Sequence, residues 1–166
     1  MRSDQEIDDD DLYDDNEDTQ KDKYLTFLLA GEDYGIEIAH VTEIIGIQKI
    51  TEVPDMPDFV KGVINLRGKV IPVMDVRRRF HLDPRSYDDR TCIIVVDIRG
   101  SAVGLVVDEV NEVVDIPPQQ IEPPPMTSHS SASRFIQGLG KMGEEVKILL
   151  TIDRLLFDEE LKQIIQ

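Results

Sequence analysis

The sequence predicts a mainly β protein made of two small, related β-barrels that pack together, with short helices and a C-terminal helix. Short runs rich in valine, isoleucine and leucine alternate with glycine-containing turns, which is typical of β-hairpins. The order of these runs occurs twice along the chain, which indicates a duplication. With 166 residues, of which 40% are hydrophobic, the chain is long enough to bury a core in one domain or two small lobes.

The duplication consists of two matched pairs of segments. Residues 24–45 and 92–114 share the order strand, glycine-containing turn, strand, and then Val-Thr-Glu-Ile or Val-Asn-Glu-Val. Residues 59–76 match residues 135–153 in an initial phenylalanine, a glycine and a closing aspartate. Because the two matches come in the same order, we expect two related barrels, whose closure would remove exposed strand edges.

The first elements are a β-hairpin and a short helix. Strand-like runs at 24–30 and 34–38 flank a turn that contains Gly31. Apolar residues then follow at helical spacing, which predicts one or two helical turns over 39–45. These residues are Val41, Ile44 and Ile45.

A second hairpin is centred on Arg67 and Gly68. It follows an extended segment at 47–53 and a loop with two prolines. Apolar runs on both sides fit two strands, and the glycine permits the positive φ of a tight turn. Asp75 then caps a short helix at 76–81, whose three arginines lie toward its C-terminal end, where the helix dipole favours cations.

The second half continues with two buried strands, a loop, a strand and a helix. The runs at 91–98 and 102–110 are apolar on both faces, which predicts central strands. Prolines and then polar residues at 117–133 predict a long exposed loop. A strand at 146–152 precedes an amphipathic helix that begins with Asp158. Its apolar stripe comprises Leu161, Ile164 and Ile165.

The net charge of −16 is concentrated at the N-terminus. Residues 1–22 contain eleven Asp or Glu and two Lys or Arg, a net charge of −9, and include the run Asp8–Asp11. Such a segment cannot bury enough apolar surface to offset its ordering entropy, so the sequence predicts a disordered acidic tail followed by one domain at 23–166. The net negative charge disfavours binding to nucleic-acid phosphates and to anionic lipids. No apolar run approaches the roughly 20 residues of a membrane span. We therefore expect neither nucleic-acid binding nor direct membrane insertion.

The sequence does not predict an enzyme. The three histidines, His40, His81 and His129, fall in different elements, and phosphate-binding, dinucleotide and zinc-protease motifs are absent from the sequence. Cys92 lies inside an apolar run and is interpreted as a small core residue, as expected for a reducing cytoplasm. We therefore expect no catalysis, no cofactor and no metal site, and a binding module located in the cytoplasm.

Four blocks of the sequence resemble the CheW-like family of chemotaxis coupling proteins. They are DYGIEIAHVTEIIG, VPDMPDFVKGVINLRGKVIPVMDVRRRF, VGLVVDEVNEVVDI and FIQGLGKMGEEVKILLTIDRLL, which together cover nearly all of residues 23–160. The resemblance implies two five-stranded SH3-like barrels packed around a hydrophobic interface, intertwined in one domain. It also implies scaffolding: members link the cytoplasmic tips of methyl-accepting chemotaxis receptors to the regulatory domain of the histidine kinase CheA.

The resemblance implies a receptor-binding surface and a set of structural glycines. By position, the receptor-contacting residues are Val41, Glu43, Arg67 and Val113. The glycines at which bulk is poorly tolerated are Gly62, Gly68 and Gly104. An arginine and a glutamate would fix the register of a helical receptor hairpin laid into a groove between the barrels.

Three alternatives stay open at this point. Arg67 could tie its own hairpin to neighbouring carbonyls instead of contacting a receptor, although the second repeat has Gly140–Gly143 in place of Leu66–Lys69 and so lacks a matching arginine. The same module occurs as the regulatory domain of a kinase or fused to a receiver domain, for which 166 residues leave little room. An enzyme of an unrecognised type is the third alternative.

Deletion of residues 1–22 is expected to leave folding and kinase binding nearly unchanged. A solvated acidic segment loses little order, and its charges are screened beyond about 10 Å at moderate salt. Urea unfolding and a kinase pull-down test this expectation. A loss of more than about 1 kcal/mol of unfolding free energy, or loss of the kinase complex, would show that the segment packs or binds.

Overall fold

The computed structural model describes residues 20–124 and 134–156. This part of the chain is mainly β. Its strands are β1 (Lys23–Leu29), β2 (Glu32–Glu37), β3 (Val41–Gly46), β4 (Val60–Leu66), β5 (Lys69–Asp75), β6 (Cys92–Ile98), β7 (Ser101–Val107), β8 (Glu109–Asp115), β9 (Ile121–Glu122), β10 (Ile136–Met142) and β11 (Glu145–Leu150). The helices are α1 (Val76–Arg79) and α2 (Ile152–Leu156), with 3₁₀ turns at Ile38–His40 and Pro118–Gln120.

The strands form two sheets. The five-stranded sheet has the order β3-β6-β7-β5-β4, and the six-stranded sheet has the order β8-β1-β2-β11-β10-β9. Most neighbours are antiparallel, but β5 and β7 are parallel, as are β2 and β11. Apart from the two-residue strand β9, the sheets therefore have the same strand order and the same single parallel pairing.

The two repeats exchange strands. In chain order, β1–β5 form the first repeat and β6–β11 the second, with β6, β7 and β8 equivalent to β1, β2 and β3. The five-stranded sheet takes β3, β4 and β5 from the first repeat and β6 and β7 from the second, and the six-stranded sheet takes the remainder. Each sheet is thus built from both halves of the chain, so neither half can form its sheet alone.

The register supports the equivalence of the repeats in detail. Val73 of β5 pairs with Gly104 of β7, and Leu149 of β11 pairs with Gly35 of β2. A side-chain β-carbon at Gly104 would lie 2.8 Å from Cγ2 of Ile93, and one at Gly35 would lie 2.9 Å from Cδ2 of Leu149. These two glycines therefore permit the same close approach of strands in both sheets.

The chain also joins the two edges of each sheet. After β3, residue Thr51 crosses to the opposite edge strand β4 and exchanges two backbone hydrogen bonds with Val63, of 2.8 and 2.9 Å. A β-carbon on Gly62, which precedes Val63, would lie 2.2 Å from the Thr51 carbonyl oxygen. In the other sheet β9 follows β8 and pairs with β10, where a β-carbon on Gly138 would lie 2.9 Å from the Glu122 carbonyl oxygen. Each repeat thus uses one glycine to admit the crossing chain.

The main hydrophobic core lies between the two sheets. It combines buried residues of the six-stranded sheet, such as Phe27 and Ile36, with buried residues of the five-stranded sheet, such as Ile94 and Leu105. Two smaller clusters occupy the opposite faces of the sheets. One contains Ile64, Ile71, Val73, Ile93, Val95 and Val106, and the other contains Tyr24, Val114, Ile116 and Leu149. Both faces of the central strands are therefore buried.

Asp108 connects the two sheets at the point where the chain crosses from β7 to β8. Its carboxylate accepts hydrogen bonds of 2.8 Å from Nε and from Nη2 of Arg77 in α1, and one of 2.9 Å from the backbone amide of Ala30. Nη1 of Arg85 lies 3.3 Å from Oδ2 of Asp108. Because burial raises the cost of the charge while these donors stabilise it more strongly, the pKa of Asp108 lies below its usual value.

Helix α1 begins and packs as its sequence requires. The Asp75 side chain accepts a hydrogen bond from the backbone amide of Arg77, which confirms the predicted cap. The arginines do more than complement the helix dipole. The guanidinium of buried Arg79 lies 4.2 Å from the ring centre of Phe59 and 4.4 Å from that of Phe135, two equivalent residues of the repeats.

The prediction of a mainly β fold with two related β units and short helices is confirmed. The predicted helix over 39–45 is wrong: a 3₁₀ turn at Ile38–His40 leads into strand β3, whose residues alternate in burial. β-branched Val41 and Thr42 favour the strand, and pairing with β6 outweighs the helical spacing. The predicted strand at 146–152 ends at Leu150, and α2 begins at Ile152.

Several predictions fall partly or wholly outside the described residues. These are most of the tail at 1–22, the polar part of the loop at 117–133 and the C-terminal helix from Asp158. Pro118–Gln120 and β9 show that the start of this loop contains a 3₁₀ turn and an edge strand. At the other end, the carbonyl of Asp22 accepts a 2.9 Å hydrogen bond from the amide of Ile116. The last residue of the predicted tail is therefore bonded to the body of the protein.

Replacing Gly104 by Asp is expected to destabilise the protein by about 3 kcal/mol or more. The new side chain would meet Ile93 and would place a carboxylate without a partner in a packed interior. Gly46→Asp is the matched control, because no atom lies within 4 Å of a β-carbon at exposed Gly46. Thermal and urea unfolding of the two variants test the expectation, and equal stabilities would contradict the burial of β7.

The stabilising contribution of Asp108 is expected to be lost in acid. Because the pKa of this carboxyl is lower in the folded protein, its contribution is complete above the ordinary pKa of about 4 and disappears as the pH falls through the folded value. At pH 7, Asp108→Asn should cost about 3 kcal/mol, since it removes the carboxylate that accepts two hydrogen bonds from the mostly buried side chain of Arg77.

Urea unfolding between pH 7 and pH 3 measures this effect. The difference in unfolding free energy between the wild type and Asp108→Asn should shrink as the pH falls. Exposed Asp89 provides the control substitution, Asp89→Asn, for which no such difference is expected. A constant difference at all pH values would show that the charge of Asp108 does not contribute.

Candidate functional site

The candidate site begins at the hairpin between β4 and β5. Its two central residues, Arg67 and Gly68, have φ angles of +52° and +85°, as a tight two-residue turn requires. The side chain of Asn65 accepts a 2.9 Å hydrogen bond from the amide of Gly68. The sequence prediction of a hairpin at this position is confirmed, and the turn fixes the direction in which Arg67 leaves the backbone.

Arg67 forms a two-point ion pair with Glu43 of β3. Its Nη1 donates a 3.1 Å hydrogen bond to Oε1 of Glu43, and its Nη2 donates to Oε2. The hydrogen bond from Arg67 lowers the pKa of Glu43, and the same contact raises the pKa of Arg67. The side chain of Arg67 is 70% exposed and that of Glu43 is 29% exposed, so the pair lies at the surface. It links β3, one edge strand of the five-stranded sheet, to the turn between β4 and β5 at the other edge.

The contacts of Arg67 bear on the alternative that it ties its own hairpin to neighbouring backbone carbonyls. Among the described residues, its guanidinium binds the Glu43 carboxylate and no backbone carbonyl. The clamp to neighbouring carbonyls that the sequence left open is therefore not formed there. Instead, the pair leaves most of the guanidinium accessible to a partner.

Three apolar residues lie close to this pair in sequence. Ile44 faces the opposite side of β3 from Glu43, because Ile44 pairs with Ile94 of the main core and Glu43 pairs with Val95 of a smaller cluster. Val41 precedes Glu43 on β3, is half-buried and packs against the main core. Ile44 and Val70 are large hydrophobic residues that remain exposed, by 44% and 64%. Ile44 follows Glu43 directly, and Val70 lies on β5 just after the Arg67 turn. The exposure of Ile44 was not predicted from the sequence, where Ile44 only counted toward the helical spacing of residues 39–45.

Val113 occupies a different place from the other predicted receptor residues. It lies on β8, an edge strand of the six-stranded sheet, where it pairs with Leu25 and is 47% exposed. No described contact joins it to Glu43 or Arg67. Val113 and exposed Ile44 are equivalent residues of the two repeats. Val113 pairs with Leu25 of β1, and Ile44 pairs with the corresponding residue of β6, Ile94.

The three glycines singled out by the sequence differ in what constrains them. Gly62 faces the Thr51 carbonyl, and Gly104 faces the side chain of Ile93, so both positions lack room for a side chain. Gly68 has open space around it and is constrained only by its positive φ. Bulk is therefore excluded at two positions, whereas the third requires a particular backbone conformation.

The described residues lack the side-chain groupings of a metal centre. Within residues 20–124 and 134–156, no group of three His, Cys, Asp or Glu side chains is arranged to hold a metal ion. No helix in these ranges has the length and apolar character needed to cross a membrane. Cys92 is half-buried rather than fully buried, and its Sγ lies 3.3 Å from the carbonyl oxygen of Arg90.

The fold and the surface pair define a β-rich module in which two strand-swapped repeats present a polar pair at the surface. The chain belongs to the CheW-like family, whose domain model matches residues 23–160. It is 41% identical to chemotaxis protein CheW of Klebsiella aerogenes, with 84% of each chain covered. It is 35% identical to chemotaxis protein CheW of Bacillus subtilis, with 85% of this chain and 90% of the relative covered.

A solved structure supports the same assignment. The chain resembles scaffolding protein TtCheW from Thermoanaerobacter tengcongensis with a TM-score of 0.76 and 38% sequence identity. The match covers 84% of this chain and 94% of that one. The family resemblance expected from the sequence is therefore confirmed.

Proposed function

We propose that this protein is a chemotaxis coupling adaptor that joins the cytoplasmic tips of methyl-accepting receptors to the regulatory domain of the histidine kinase CheA. Membership of the CheW-like family supports the coupling role. The observation that carries the proposal is the exposed Glu43–Arg67 pair, in which Arg67 extends from the turn between β4 and β5 and Glu43 extends from β3. The proposed role is binding, without a chemical step, and places the protein in the cytoplasm.

The Glu43–Arg67 pair suits the recognition of a helical receptor tip. Arg67 can offer its remaining donors to a receptor carboxylate or carbonyl while Glu43 holds the guanidinium in position. On the opposite face of β3, exposed Ile44 supplies apolar surface of the kind that a helix docked by its apolar face requires. Val41 contributes by supporting β3 from the core side.

Val113 extends the proposed receptor surface to the second sheet. A receptor hairpin has two helices, and the two equivalent exposed residues Ile44 and Val113 offer one apolar contact on each sheet. The fixed packing of the sheets around the main core would keep these contacts at a constant separation. The alternative of a regulatory module within a larger kinase uses the same surfaces and differs only in covalent attachment.

Arg67→Ala is expected to weaken receptor binding roughly tenfold or more while leaving the fold and kinase binding intact. The substitution removes an exposed fork and no apolar packing, and a charge-assisted hydrogen bond at an interface contributes on the order of 1.5–3 kcal/mol. Co-sedimentation with a receptor hairpin and with the kinase regulatory domain, together with thermal unfolding, measures the three properties on one sample.

Arg90→Ala is the matched control. Arg90 is also an exposed arginine, and it lies just before β6 of the same sheet, outside the proposed surface. Unchanged receptor affinity in a stable Arg67→Ala protein would remove Arg67 from the receptor surface. Simultaneous loss of stability and of both partners would assign it a structural role. A wild-type protein that binds neither partner would contradict the coupling function itself.

A further inference from the structure

We propose that Thr26 is a positioning residue for receptor binding, which acts by holding the backbone of β8 so that Val113 lies at the surface. The inference rests on the proposed coupling function, in which Val113 contacts the receptor. Thr26 lies on the neighbouring strand β1 and is 0% exposed. Its effect on a partner must therefore pass through the residues that it touches.

A β-bulge interrupts the pairing of β8 with β1. The register shifts at Thr26, which lies opposite two residues of β8, Asn111 and Glu112. The next residue of β8, Val113, pairs with Leu25 again. A bulge of this kind adds one residue to one strand and changes the direction of the side chains that follow it.

This bulge decides which face of the sheet Val113 occupies. In a regular strand, residues an odd number apart point to opposite faces. Val110 and Val113 are three residues apart, yet Val110 packs against the main core and Val113 pairs with a residue of that core. Val114 is buried in the smaller cluster on the opposite face. Without the extra residue, Val113 and Val114 would exchange faces.

The side chain of Thr26 holds both backbone groups of one bulge residue. Its Oγ1 donates a 2.8 Å hydrogen bond to the carbonyl of Glu112 and accepts a 3.2 Å hydrogen bond from the amide of the same residue. A bulge disrupts the regular ladder of backbone hydrogen bonds, so the hydroxyl supplies partners at that point. Because Glu112 directly precedes Val113, these two bonds fix the backbone from which the Val113 side chain extends.

The other sheet has the same bulge, held by a different side chain. On β3, Thr42 and Glu43 lie opposite the single residue Val95 of β6. Val95 is therefore the equivalent of Thr26, and it has no hydroxyl. Instead, Oγ1 of Thr42 donates a 3.1 Å hydrogen bond to the carbonyl of Val95. A threonine hydroxyl thus crosses the bulge in both sheets, but from opposite strands.

The comparison of the sheets also identifies the substitution that tests the proposal. Val95 is 3% exposed, so the fold accommodates a buried valine at the place equivalent to Thr26. Thr26→Val keeps the shape of the side chain and removes the hydroxyl that binds Glu112. The variant is therefore expected to fold, with the bulge held less firmly.

Thr26→Val is expected to weaken receptor binding roughly tenfold and to leave kinase binding close to the wild-type value, because Val113 is no longer presented in one orientation. Thr26→Ser, which keeps the hydroxyl, should restore most of the receptor affinity. Thr91→Val is the matched control. Thr91 is also buried, and its hydroxyl accepts a 2.9 Å hydrogen bond from the amide of Asp88, outside β8. Co-sedimentation with a receptor hairpin and with the kinase regulatory domain measures both affinities.

A double-mutant cycle shows whether Thr26 acts through Val113. Val113→Ala should weaken receptor binding, and adding Thr26→Val should produce little further loss, because the contact that Thr26 positions is already removed. Losses that multiply in the double variant would overturn the proposal, as would a Thr26→Val protein that binds the receptor like Thr91→Val. Equal losses of receptor and kinase binding, or no recovery in Thr26→Ser, would also overturn it, by assigning Thr26 a purely structural role.

A measurement on the isolated protein separates this proposal from the coupling function. If the wild type binds neither partner, the coupling function fails, but the effect of Thr26 on the bulge can still be measured by NMR. Amide hydrogen exchange at Glu112 should be roughly tenfold faster in Thr26→Val, the methyl resonances of Val113 should shift, and Thr26→Ser should reverse both changes. Unchanged exchange and resonances in Thr26→Val would overturn the positioning role.

Discussion

The exchange of strands between the repeats is the constraint on which the rest of the structure depends. Because β3 joins the five-stranded sheet and β8 joins the six-stranded sheet, neither repeat can bury its apolar residues alone, and the main core contains residues from both. Asp108 lies at one crossing point and accepts hydrogen bonds from Arg77 on one side and Ala30 on the other. The topology therefore fixes the relative position of the two sheets, and with it the separation of surfaces such as those around Ile44 and Val113.

The repeats agree where the fold requires it and differ where a partner could be recognised. Gly62 and Gly138 both admit a crossing chain, and a change at either would place a side chain against a backbone carbonyl. Arg67 and Gly143 begin equivalent turns with φ angles of +52° and +63°, yet only Arg67 carries a charge, and the next residues differ, since Gly68 has a φ of +85° whereas Glu144 has no positive φ. Because a surface turn tolerates either residue, the difference between them is free to serve binding rather than folding.

The sequence predicted the elements whose signals are local. The glycine turn after Arg67 and the apolar runs of β6 and β7 indicated a hairpin and two central strands, and the structure confirms them. Helical spacing misled the assignment of residues 39–45, because the burial of β3 is decided by pairing with β6, which no local pattern reveals. The contacts of Asp108 were missed for the same reason, since its partners lie 31 and 78 residues away in sequence. Glu43 and Arg67 were selected together only through the family resemblance, although the alignment of the repeats in sequence had already matched Glu43 with Glu112.

Two arginine–carboxylate pairs of similar geometry illustrate why burial decides the role of an ion pair. The side chains of Arg77 and Asp108 are 13% and 9% exposed, so loss of either would leave the other charge in a poorly solvated place and would destabilise the fold. The side chain of Arg67 is mostly exposed to water, so its ion pair with Glu43 contributes little to folding. The pair can therefore bind a group of a partner protein with little loss of stability. An adaptor needs both kinds of pair, because its surface can adjust to a partner only while a separate contact maintains the fold.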